Sequence, residues 1–329
     1  MTLLFCLLTV GGYAQEKERV TVHKTLKLMG TRFDITVVAE SEEMGYINID
    51  EATAEIRRIE NLISAWNPDS ETSLINRNAG VRPVEVSPEL FRLIERAKQI
   101  SELTDGAFDI SFAPLNEIWK FDGTMERKPT YVELEKSIAK VGYQKIILDE
   151  VNQTVFLREK GMKISFGAIG KGYAADRTKE LLISKQVVGG IINAAGDLTT
   201  WGTKANGEKW LIGIANPLSK ERIFSWLPVV ESSVATSGNY EQFVEFDGVK
   251  YSHIIDPRTG YPSTGVNSVS VFAKSAELCD ALATAVYIMG KEAGLSLIAQ
   301  LGGTEVILVD SDNKVHKSSG ILFESDVKP

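Results

Sequence analysis

The sequence predicts an α+β fold, one continuous domain of mixed or antiparallel sheets with packed helices. Three observations predict it. Strand-like stretches mostly follow one another through short turns. Helical stretches are grouped between those runs instead of alternating with them one for one, as a doubly wound parallel sheet requires. No internal repeat, low-complexity tract or proline-rich linker divides the chain.

The elements follow in order. Residues 27–39 (KLMGTRFDITVVA) alternate enough for a strand, kinked at Gly30. Residues 49–66 put Ile56, Ile59, Leu62 and Ile63 on one helical face. A second helix opens at Ser87-Pro88-Glu89, a capping serine with proline in the first turn, and ends near Asp105-Gly106. Thr130 and Glu133 make a capping box for a third, which stops at Gly142. Strands are expected at 145–148, 154–157 and 163–166, then a helix over 172–185, then strands at 190–193, 210–214 and 223–230. Residues 244–251 read as a hairpin, because Asp247-Gly248 suits the positive φ angles of a tight turn. A strand at 268–273 leads into a helix from Ser275, and strands at 305–309 and 315–317 flank Asp312-Asn313.

Composition narrows the function. The 329 residues are 43% hydrophobic and 24% charged, which is the make-up of a folded globular protein with a substantial core. Acidic residues outnumber basic ones 44 to 36, giving a net charge of -8, and no Lys/Arg-rich run occurs. Nucleic-acid binding needs concentrated positive charge, so nucleic acid is not an expected partner.

At the N-terminus, residues 3–10 are nearly all apolar, with the small Gly12 and Ala14 before polar Gln15-Glu16-Lys17-Glu18. That run is too short for a bilayer span of roughly 20 residues and suits a signal peptide. The expectation is a signal over residues 1–14, a tether over 15–24 and a domain over 25–325. The protein is then exported, periplasmic and associated with the inner membrane. A lipid on Cys6 is disfavoured by the bulky Phe5 before it. The chain has only two cysteines, so with Cys6 in the signal Cys279 is left alone, and its apolar helical setting reads as packing.

Only three histidines occur (His23, His253, His316), widely spaced and without cysteine pairs, so a zinc site of His and Cys is close to excluded. A bound metal must accept oxygen ligands, as magnesium does. Asp280 and Thr284, four apart on an expected helix, share one face. Two readings stand: a capping Asp with a backbone-bonded Thr, or a carboxylate and a hydroxyl offered to one ion. His253 leaves a hairpin strand just before the rigid turn Asp256-Pro257-Arg258-Thr259-Gly260. It is either a hydrogen-bonded structural histidine or a general base. Ser165-Phe166-Gly167-Ala168-Ile169-Gly170-Lys171-Gly172 reads as strand, glycine turn and helix start, where exposed N–H groups and Lys171 can cradle phosphate. It is neither a P-loop nor a Rossmann fingerprint. Residues 232–238 carry clustered hydroxyls and read as an ordinary polar loop.

In this order the motifs resemble one family, the ApbE-type FAD:protein FMN transferases. The matching pieces begin with Met29-Gly30-Thr31, Ser64-Ala65-Trp66, Asp69-Ser70-Glu71, Leu74-Ile75-Asn76 and Gly106-Ala107-Phe108-Asp109 with Trp119. They continue with 166–174, Ile192-Asn193-Ala194-Ala195-Gly196-Asp197, 235–238, 253–260 and 280–285. The resemblance implies an ApbE-like (T-fold-like) domain with a smaller subdomain, and a transferase that splits FAD, releases AMP and esterifies FMN onto a Thr or Ser of a target protein. It implies magnesium, with manganese as the second candidate, held by the backbone oxygen of Ala168 with Asp280 and Thr284. It implies His253 as the base, and flavin contacts from Met29, Trp66, Ala107, Phe108, Asp109, Ser165, Lys171 and His253. Subunits of sodium-pumping or other electron-transfer complexes and exported flavin reductases are the implied acceptors. An FAD pyrophosphatase and a non-catalytic flavin carrier are the alternatives. Two positions depart from the family pattern: Ser165 stands where aspartate is usual, and Ala195 where glycine is more frequent.

Overall fold

The computed structural model describes residues 18–216, 219–229, 231–239 and 242–321. The expected signal peptide and the first residues of the expected tether lie outside them.

The first hairpin pairs Val20–Leu28 (β1) with Thr31–Ala39 (β2). Here the structure corrects the sequence reading twice. Residues 27–39 are not one kinked strand: Met29 and Gly30 both take positive φ (49° and 73°) and make a two-residue turn. Residues 20–24 are paired strand, not tether. In chain order there follow Glu42–Ile63 (α1), Glu71–Arg77 (α2), Val84–Glu85 (β3), Pro88–Leu103 (α3) and a 3-10 helix over Ile110–Glu117. Next come Tyr131–Ile138 (α4), Ile146–Asp149 (β4), Thr154–Leu157 (β5) and Gly170–Ser184 (α5). Strands Gly190–Ala194 (β6), Asp197–Trp201 (β7), Trp210–Asn216 (β8), Ser219–Val229 (β9), Ser233–Gly238 (β10), Phe243–Phe246 (β11), Val249–Ser252 (β12) and Val266–Ala273 (β13) come next. The described chain closes with Ala276–Ala299 (α6), Glu305–Asp310 (β14) and Val315–Lys317 (β15).

Eight strands form the main sheet in the order β1-β2-β6-β7-β10-β13-β14-β15, and every neighbouring pair is antiparallel. Helices α1, α5 and α6 pack side by side on it: α1 over β1 and β2, α5 over β6 and β7, α6 over β10, β13 and β14. A small sheet, β3-β5-β4, shares a core with α2, α3 and the 3-10 segment through Leu90, Phe91, Ile94, Phe108 and Val155. The expected α+β architecture with antiparallel sheets is therefore the observed one. Capping chemistry sets the helix starts as the sequence indicates: Ser87 accepts from Leu90 N–H, and Thr130 and Glu133 form a complete capping box. Helix α6 is long and apolar enough to cross a membrane by composition, but half of that stretch is buried against the sheet and it serves as a core helix. Cys279 lies fully buried in it, where burial pushes its thiol well above its usual range, as a packing residue.

Two expectations fail because of partners distant in the chain. Residues 163–166 are extended but not a ladder strand. The Asn76 side chain takes both hydrogen bonds of Ile164, donating to its carbonyl (3.0 Å) and accepting from its N–H (2.8 Å), as a neighbouring strand would. Residues 233–238, read as a polar loop, are β10 at the centre of the main sheet. Their hydroxyls are satisfied inside it: Ser233 donates to the Lys274 carbonyl and bonds the Thr199 hydroxyl, and Thr236 bonds Ser270.

The β6–β7 turn places Ala195 in left-handed backbone, which favours glycine. Ala195 and Gly196 are its two central residues, with φ of 53° and 105°. Left-handed backbone at an alanine costs ~1–2 kcal/mol, against roughly 0.5–1 kcal/mol of extra chain entropy for glycine. Ala195→Gly is therefore expected to stabilise the fold by about 0.5–1 kcal/mol, read as a higher urea midpoint at unchanged slope.

Candidate active site

Two contacts bring α5 and α6 together at one end of a cleft. Asp176 of α5 caps α6, accepting from the N–H groups of Ala276 and Glu277 (2.9 Å each) and from the Ser275 hydroxyl. Gly172 lets the helices meet, since a Cβ there would fall 2.1 Å from the Ala276 carbonyl oxygen. One turn further along α6, Asp280 then reaches the start of α5, and its Oδ2 accepts from Gly172 N–H at 3.1 Å. At the start of α5 the Gly172 N–H is held by Asp280 and the Gly170 N–H by the Phe166 carbonyl, and Ala168 and Lys171 beside them line the cleft.

The cleft holds about 700 Å³. Along its wall lie Trp66, Ala107, Phe108, Asp109, Ser165, Ala168, Lys171, His253, Asp280 and Thr284, so the fold gathers ten of the eleven site residues expected from sequence. Met29 is not on that wall. It sits behind Gly170 in the core, and its neighbour Thr31 lines the cleft. The Asp109 carboxylate is turned inward. It takes hydrogen bonds from the N–H and hydroxyl of Ser111 and from Tyr143 N–H (2.7 Å), and burial raises its pKa despite them. Its side chain fastens the 3-10 segment to the loop at Gly142, whose N–H binds Ser111. Trp66 is the reverse case, 92% exposed at the mouth.

Sequence reasoning missed Asp197. It opens β7, is 4% exposed, and binds Lys171 Nζ at 2.8 Å, while Asp280 Oδ1 stands 3.5 Å from the same nitrogen. Thr236 N–H donates to the other Asp197 oxygen. Burial raises the pKa of Asp280, with Lys171 opposing and Asp197 adding to the rise. Burial also works against the Lys171 charge, but Asp197 and then Asp280 outweigh it and hold the ammonium above its usual range. Thr284 Oγ lies 3.3 Å from Ser237 Oγ and 3.4 Å from the Asp280 carbonyl oxygen.

His253 stands where the β11–β12 hairpin meets the turn at 256–260. Trp119 anchors that turn, its Nε1–H donating to the Gly260 carbonyl (2.8 Å) while its ring stacks on Tyr251. His253 Nδ1 lies 3.2 Å from the Gln242 carbonyl oxygen. A carbonyl only accepts, so Nδ1 carries the proton and Nε2 is the basic nitrogen of the ring.

The donors available to a metal here are a buried carboxylate, a hydroxyl and backbone oxygen. Among the described residues no group of three or more His, Cys, Asp or Glu is placed to hold an ion. Such a set fits a hard cation that also takes oxygens from its substrate, and does not fit zinc.

A family model described as the ApbE family matches residues 29–308. The chain belongs to the ApbE family. An FAD:protein FMN transferase of Klebsiella pneumoniae (strain 342) is 34% identical over 277 residues, covering 82% of this chain and 86% of the relative. One of Treponema pallidum (strain Nichols) is 30% identical over 337 residues, covering 97% and 93%. Among solved structures, the ApbE protein of Thermotoga maritima superposes with a TM-score of 0.83 at 31% identity, covering 91% of this chain and 97% of that one. The flavin transferase ApbE of Vibrio cholerae gives 0.82 at 27% identity, covering 92% and 98%. These ApbE proteins share the whole architecture that carries the cleft.

Proposed function

We propose that this protein is an FAD:protein FMN transferase, and that the cleft between α5, α6 and the β11–β12 hairpin is where FAD is split and FMN passes to a Thr or Ser hydroxyl of another protein. The observation that carries the reading is the convergence on one cleft of an imidazole, a lysine held on two buried carboxylates, a threonine hydroxyl and an exposed tryptophan. Family membership and the likeness to named transferases over most of both chains support it.

In the reaction, the acceptor oxygen attacks the phosphorus on the FMN side of the pyrophosphate. The bond from that phosphorus to the bridging oxygen breaks, and AMP leaves with the bridging oxygen. His253 Nε2 takes the acceptor proton. Lys171 faces the phosphates and opposes their charge. Ala168, Asp280 and Thr284 would hold magnesium, or manganese, which when bound neutralises charge on the pyrophosphate. Ser165 brings one negative charge fewer to the cleft than the family's usual aspartate. Export to the periplasm, with attachment at the inner membrane, is part of the same proposal, supported by the apolar run at 3–10. Electron-transfer subunits and exported flavin reductases are the proposed acceptors.

The test is AMP release from FAD and magnesium, by chromatography, with and without an acceptor carrying a Ser/Thr-Gly-Ala-Thr-like site. Acceptor-dependent AMP is expected. Equal AMP without acceptor would make the protein a pyrophosphatase, and flavin binding without AMP a carrier.

Trp66 supplies a separate check. Ring stacking on an exposed aromatic is worth ~1–3 kcal/mol, or roughly 5- to 150-fold in affinity. Trp66→Ala is expected to weaken FAD binding in that range, by fluorescence titration, with thermal stability unchanged, since the side chain packs on nothing.

A further inference from the structure

Lys171 lies between two buried carboxylates and is shared unequally: 2.8 Å from Asp197 and 3.5 Å from Asp280. Both acids are 4% exposed, and each has its second oxygen tied to backbone, Asp197 to Thr236 N–H and Asp280 to Gly172 N–H. The oxygen of Asp280 that accepts no backbone hydrogen bond is thus the one that faces the ammonium. A divalent ion and an ammonium on one carboxylate oxygen repel each other. Asp197 offers the ammonium a place a short shift away, still on the cleft wall and still facing the phosphates.

We propose that Lys171 is a resident cation that competes with magnesium for Asp280, and that Asp197 is the positioning residue that draws the ammonium aside when the ion enters. This rests on the metal reading of Ala168, Asp280 and Thr284 given above. The formal charges agree with it. Two carboxylates and one ammonium leave one excess negative charge, a divalent ion reverses the sign, and the pyrophosphate restores the balance. The ion therefore binds weakly alone and firmly with FAD present.

The experiment titrates magnesium by calorimetry into the FAD-free and the FAD-bound protein, and separately titrates FAD by fluorescence. It compares the wild type with Lys171→Met, Lys171→Gln, Asp197→Asn and the Lys171→Met/Asp197→Asn double variant. Removing the ammonium should tighten magnesium about 10-fold while weakening FAD, opposite movements that a damaged fold does not produce. Asp197→Asn should weaken magnesium about 10-fold, because the ammonium then rests on Asp280 alone. In the double variant, magnesium affinity should return to the wild-type value or above it. Lys171→Gln tests the same charge with a polar side chain of similar reach.

Magnesium affinity that both Lys171 variants leave unchanged or reduce overturns the competition and leaves the metal site standing. A double variant that binds magnesium more weakly than wild type overturns the role of Asp197, making it a ligand. If FAD binds but no magnesium binds to any of the proteins, with or without FAD, the metal site fails and the inference with it.

Discussion

Replacing His253 by alanine is expected to slow FMN transfer about 10²- to 10⁴-fold, the range that a positioned general base contributes, while FAD still binds. The attacking group is a neutral hydroxyl, which becomes a nucleophile only as its proton leaves. The tautomer set by the Gln242 carbonyl puts the accepting nitrogen on Nε2. Single-turnover transfer measures the chemical step, and flavin fluorescence measures binding. Full activity in His253→Ala would remove the base from the mechanism, and loss of FAD binding in parallel with rate would make the residue a binding contact only.

The second large effect is at Asp280. Asp280→Asn keeps the shape and keeps an oxygen for Gly172 N–H, but removes the charge from the buried end of the cleft. Losing a ligand charge is expected to weaken magnesium by at least about 10- to 100-fold, the scale seen when residues that merely support ligands are changed. Activity should fall by that factor at limiting magnesium and recover in part as magnesium is raised. A loss that no magnesium concentration relieves would assign Asp280 to the fold, through its bond to the start of α5.

Much of this was legible in the sequence because it rests on short-range chemistry. Caps at Ser87 and Thr130 placed helices α3 and α4, and Asp247-Gly248 placed a hairpin turn. What escaped depends on distant partners. β10 is rich in Ser, Thr and Gly and is a strand because β7 and β13 flank it. Residues 163–166 look like a strand because a side chain, Asn76, stands in for one. The Met29-Gly30 turn hides within an apparently continuous alternation because the two strands meet across only two residues.

The site divides in the same way. His253, Asp280, Thr284 and Lys171 carry recognisable chemistry in recognisable settings, and the fold brings them to one cleft. Asp109 lines the cleft as expected, with its carboxylate turned to Ser111 and Tyr143. Asp197 was missed. Its place in the 192–197 motif assigns it no role, and only the approach of α5 to β7 shows that it holds the lysine. Neither could be sorted without knowing where a side chain points.

The most direct test of the central claim is the mass of the acceptor after reaction. The purified protein is incubated with FAD, magnesium and an acceptor carrying the hydroxyl, beside the same acceptor with that Thr or Ser replaced by Ala. One covalent FMN on the first, none on the second, and AMP formed in equal amount to bound flavin is the predicted result. Unmodified acceptor in both reactions, with FAD bound to the protein, would contradict it.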